Sequence, residues 1–115
     1  LGFDKAYMDS GFSTFTLEDN IRYLKEFTLN EEVYPSFMLY KTNKRLMHFI
    51  GILQNKDSEL AAIFETVLGH IDLKKRKIVN FSDKRINDLQ IIHLKQKEET
   101  KLPFDVKLHI KNIDE

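Results

Sequence analysis

The sequence has no cysteine and no tryptophan, and only two of its 115 residues are proline. Without cysteine there is no disulfide, no thiolate metal site and no cysteine nucleophile. Its four glycines stand at 2, 11, 51 and 69, too scattered to form a phosphate-binding loop. There is no Gly-x-Ser-x-Gly elbow, which excludes a serine hydrolase of that type. Apolar runs are short as well. Leu60 to Phe64 is five residues long, against the roughly 20 that span a bilayer, and no signal peptide is visible. An excess of one charge is also missing, since 18 basic and 18 acidic residues cancel. A general nucleic-acid binder would be strongly basic. The expectation is a cytoplasmic protein with neither a nucleic-acid nor a membrane partner.

What is present is the composition of one folding domain. Hydrophobic residues make up 42% and charged residues 31% of a 13.6 kDa chain. A domain of this size buries about two-thirds of its unfolded surface. Charge is unevenly placed: residues 1–72 carry net −4 and residues 73–115 net +4. The basic excess comes mainly from Lys74 to Lys77 and Lys84-Arg85, which read as a solvated turn and a wet helix face.

Periodicity sets out the elements. Leu1 to Gly11 reads as a short helix, with Phe3, Ala6 and Tyr7 at helical spacing and Gly11 as the stop. From Ser13 the period becomes two: Phe15, Leu17, Asp19, Ile21 and Tyr23 are expected on one core-facing side. A turn at Leu29-Asn30-Glu31 leads to a strand over Val33 to Lys41, and a second strand covers Leu46 to Gln54. Asn55 to Ser58 is a hairpin turn into a long strand from Leu60 to Asp72. There Ala62, Phe64, Thr66, Leu68 and His70 form the more apolar set, expected to face the core. After a basic turn, Ile78 to Phe81 is a short edge strand. Ser82 is an N-cap for an amphipathic helix over Asp83 to about Lys97. Phe104, Val106, Leu108 and Ile110 then alternate with polar residues as a further strand.

Few residues suggest chemistry. Lys41, Lys44 and Arg45 crowd one turn, either as a site for a phosphorylated ligand or as a solvated turn. Asp19 interrupts an apolar strand face; it marks a reactive pocket or is carried to solvent by a bulge. Glu65 shares its face with small and mixed residues and is not singled out. His48 and His70 lie on adjacent strands, where a shared ligand site is conceivable. No two histidines have the i, i+4 spacing of a helical zinc site, and no metal is expected.

Gly11-Phe12-Ser13-Thr14-Phe15-Thr16-Leu17-Glu18, followed by Ile21-Arg22-Tyr23-Leu24, resembles the second strand of hot-dog thioesterases of the 4-hydroxybenzoyl-CoA thioesterase type. Asn30 to Val33, Arg45 to Phe49, Asp57 to Ala62, His70 to Leu73 and Ile78 to Ser82 resemble that family's later turns and strands, in order, up to about Leu94. The resemblance implies an α+β hot-dog fold, with a curved antiparallel sheet around a central helix and a C-terminal helix. Residues 1–98 would be this domain, N-terminally incomplete, and 99–115 a C-terminal extension. It further implies hydrolysis of acyl-CoA thioesters without a cofactor, in a homodimer or dimer of dimers. By the same likeness, Lys41, Lys44 and Arg45 match a turn that contacts CoA phosphates. Asp19, from its place on the apolar strand face, is a further substrate-binding candidate. The family's catalytic Asp and the helix N–H that polarises the carbonyl precede the position matching Leu1. Asp4 and Asp9 do not match that Asp. A strand and most of a helix are therefore expected before Leu1. The alternative function is a non-catalytic hot-dog module that binds an acyl carrier or serves assembly.

Overall fold

A computed structural model describes residues 2–114. Leu1 and Glu115, the outer ends of the first expected helix and of the expected C-terminal extension, lie outside the described residues. Helix α1 (Lys5–Asp9) is a single turn whose N-cap, Asp4, accepts from the Tyr7 N–H at 3.1 Å. It stops before Gly11, which takes φ +100°, a conformation that glycine adopts at no steric cost. Strands β1 (Phe12–Tyr23), β2 (Tyr34–Thr42), β3 (Leu46–Gln54) and β4 (Leu60–Asp72) follow. They form one antiparallel sheet in the order β1-β4-β3-β2, with the two-residue β5 (Lys77–Ile78) added to β4. Helix α2 (Asp83–Glu99) begins at the predicted cap, Ser82 Oγ accepting from the Arg85 N–H at 3.2 Å. The curved sheet with its C-terminal helix is the hot-dog arrangement expected.

Residues directly opposite one another across strands share a face, and the register assigns two faces. Leu39, Met47, Phe49, Leu68 and His70 stand on the face that α2 covers. There Leu39, Met47, Phe81 and Leu89 form a buried cluster, each contributing roughly 1.5–3 kcal/mol through burial. α2 also closes the outer edge of β2. Gln96 Oε1 accepts from the Leu39 N–H at 2.7 Å, and Gln90 Nε2 donates to the Thr42 carbonyl at 3.0 Å. Past the helix this face is bare, with Ile21, Tyr23 and Phe37 exposed. The Phe37 and Phe64 rings meet above Gly51, where a Cβ would stand only 2.8 Å from each.

Two sequence expectations are corrected here. A register shift between Thr16 and Glu18 puts a bulge at Leu17. Phe15 pairs with Gly69 on one face, whereas Asp19, Ile21 and Tyr23 pair with Thr66, Phe64 and Ala62 on the other. The single apolar face expected of β1 is thus split. On β4 the more completely buried set is Ala61, Ile63, Glu65 and Val67, not the set holding Phe64 and Leu68.

The cause of the second correction is the segment after α2. Residues 101–113 form no strand ladder. They run extended across the face opposite α2, burying alternate side chains as far as Ile110. The alternation read from Phe104 to Ile110 is present, but its backbone bonds go to side chains of the sheet.

Candidate functional site

One carboxylate anchors that segment. Glu65, 1% exposed, accepts four hydrogen bonds, two on each oxygen. Oε1 takes His48 Nε2 at 3.0 Å and the Leu108 N–H at 3.1 Å. Oε2 takes Arg22 Nη2 at 3.1 Å and the Lys107 N–H at 2.7 Å. The set fills a carboxylate's acceptor sites, as a buried charge requires. The Arg22 guanidinium also lies over the Phe104 ring, 5.1 Å from its centroid. Burial holds the His48 pKa below the usual histidine value, against the opposing pull of Glu65. A neutral ring satisfies this contact when its proton sits on Nε2 and is donated to the carboxylate.

The turn between β2 and β3 is built around Asn43. Its Oδ1 accepts from the Arg45 and Leu46 N–H groups at 3.1 and 2.9 Å. Its Nδ2 donates to the Lys111 carbonyl at 3.0 Å. The Lys44 and Arg45 carbonyls accept from the Phe81 and His70 N–H groups, both at 2.8 Å. With its backbone fixed, the turn projects both exposed cations into a groove of about 570 Å³. Leu17, Ile78, Asn80 and Lys111 line it as well, and among the described residues no acidic side chain does. Neither Lys44, Arg45 nor Lys111 has a carboxylate partner among the described residues. Gly69 leaves room for Leu17, which lines the groove, because a Cβ there would stand 2.9 Å from Leu17 Cδ1. Three cations thus line one groove, with no carboxylate partner among the described residues.

The predicted site residues are distributed unequally. Lys44 and Arg45 come together in the groove. Lys41 lies beneath the C-terminal segment, its ammonium donating to the Ile110 carbonyl at 2.9 Å. Asp19, two residues past the bulge, is exposed on the α2 side of the sheet. His48 and His70 face opposite sides and share no site. His70 belongs to an aromatic stack, its Nε2 2.5 Å from Tyr7 Oη and its ring 4.3 Å from that of Phe81. Sequence reasoning passed over Glu65, although an acidic residue between Ile63 and Val67 on a β-period was a signal of buried charge. It gave no role to Asn43 or Lys111.

Sheet order, flanking helix and groove together define a thioesterase-type hot-dog domain. Residues 1–97 match the thioesterase-like superfamily, and the chain belongs to that superfamily. The L-carnitine dehydrogenase/betainyl-CoA thioesterase of Rhizobium meliloti (strain 1021) is 31% identical over 80 residues, 69% of this chain and 16% of that protein. The protein of the same name from Agrobacterium fabrum is 28% identical over 103 residues, 90% of this chain and 21% of that one. The chain thus spans about a fifth of the length of these curated relatives. Among solved structures, a Staphylococcus aureus protein in complex with CoA superposes with a TM-score of 0.75 at 20% identity, over 93% of this chain and 68% of the other. The DHNA-CoA thioesterase of Staphylococcus aureus gives 0.68 at 22% identity, over 88% and 70%. At such identities these structures establish the fold.

Proposed function

We propose that the protein hydrolyses an acyl-CoA thioester, water adding to the carbonyl carbon while the C–S bond breaks to release the acid and CoA thiol. The groove at the β2–β3 turn carries this reading: its cations suit a ligand whose nucleotide end bears a 3′-phosphate and a diphosphate. The names of the relatives, betainyl-CoA thioesterase and DHNA-CoA thioesterase, support the same substrate class. In this reading Lys44 and Arg45 hold phosphates. Lys41 serves indirectly through the segment it anchors, and Asp19, on the other side of the sheet, contacts a part of the substrate outside this groove. By the same proposal the protein is a homodimer or dimer of dimers acting in the cytoplasm. No described helix is long and apolar enough to cross a membrane.

Release of free thiol from a panel of acyl-CoAs by the full-length protein is the test. Turnover of at least one acyl-CoA is expected. No turnover with any acyl group, alongside retained CoA binding, would replace the hydrolase by the carrier-binding module. Light scattering tests the oligomer, and a monomer at micromolar concentration would overturn the dimer.

A further inference from the structure

Lys111 lies beyond the residues that match the superfamily, yet it reaches the same groove as Lys44 and Arg45. We infer that Lys111 is a third phosphate-binding cation of the CoA groove, delivered there by the C-terminal segment, and that Glu65 and Asn43 are its positioning residues. The inference rests on the CoA reading of the groove and adds to it a residue and a device.

Four observations place Lys111. Glu65 grips the backbone N–H groups of residues 107 and 108 from inside the sheet. Lys41 then holds the carbonyl of Ile110, whose side chain is 8% exposed. Asn43 holds the carbonyl of Lys111 itself with the same amide that shapes the Lys44-Arg45 turn. The alternation that turns Ile110 inward turns Lys111 outward, where its exposed side chain lines the groove. One buried amide therefore fixes the backbone at two of the three cations, so that their main-chain positions are set before a ligand arrives. A flexible tail lysine would lose side-chain and backbone entropy on binding. A clamped one has already lost the backbone part.

CoA binding by calorimetry at low salt tests this, with pantetheine as the ligand that lacks the nucleotide phosphates. Lys111→Ala should weaken CoA binding about fivefold, the scale of one exposed charge-assisted contact. Lys111→Arg should restore it, and pantetheine binding and thermal midpoint should stay as in the parent. Added salt should narrow the gap. Glu65→Gln should weaken CoA binding too, and combining it with Lys111→Ala should add little, because the first change has already displaced the lysine. Combined with Lys44→Ala the losses should add. Wild-type CoA affinity in Lys111→Ala, with Lys44→Ala and Arg45→Ala both weakened, would overturn the role of Lys111 and leave the CoA groove standing. Unchanged affinity in all three, or no CoA binding at all, would overturn the groove itself.

Discussion

Glu65 Oε1 and His48 Nε2 stand 3.0 Å apart, with neither side chain more than 1% exposed. The pair joins β4 to β3, and the same carboxylate holds the segment that covers both strands. Removing its charge therefore affects more than one bond.

Glu65→Leu should be strongly destabilising, by about 3 kcal/mol, since it strands buried donors from Arg22, His48 and two backbone amides. Urea denaturation measures the loss. Hydrogen exchange should quicken first at Lys107 and Leu108. A variant within about 0.5 kcal/mol of wild type would mean that the carboxylate contributes little.

Acid should weaken the fold early. His48, His70 and His93 all have pKa values held below the ordinary 6.5, in each case chiefly by burial. The unfolded chain then binds more protons, so stability is full above about pH 7 and falls as pH drops through 6.5. Urea midpoints between pH 5 and 8, on the order of that titration range, should trace the fall. His48→Gln should start from a lower stability but decline less steeply. A flat profile would contradict the neutral buried state of these rings.

Gly51→Ala should cost about 1–2 kcal/mol, because the new methyl meets both the Phe37 and Phe64 rings. Thermal unfolding would read it. Adding Phe37→Ala should recover part of the loss, as the crowding ring is then gone.

Lys44→Ala with Arg45→Ala should raise KM for an acyl-CoA about tenfold with little change in kcat, the pattern of binding lost equally in ground and transition states. Steady-state kinetics at two salt concentrations would show the effect shrinking as salt rises. An unchanged KM at low salt would return both residues to the solvated-turn reading.

Strands β3 and β4 and the cap of α2 were legible because period-two apolarity and Ser82 act locally. What escaped was set by distant parts of the chain. Asp19 on an apolar face hinted at a bulge, but nothing in Thr14 to Glu18 places it at Leu17, whose side chain packs over Gly69. The inward side of β4 was misjudged because both of its faces are covered, one by α2 and the other by residues some 40 positions later in sequence, roughly a strand-and-helix away. The cations of the β2–β3 turn were visible as a cluster. Their separation into Lys41 beneath the segment and Lys44 and Arg45 in the groove depends on the pleat and on Asn43.

The two glutamines of α2 decide how such a sheet meets other sheets. With the Leu39 N–H and the Thr42 carbonyl already bonded to α2, a foreign strand finds no vacant ladder at that end of β2. The opposite border, β1, pairs only inward, with β4. Continuous stacking of sheets needs two receptive borders per copy, one to accept and one to offer. Where one border is closed along part of its length, such stacking is interrupted there.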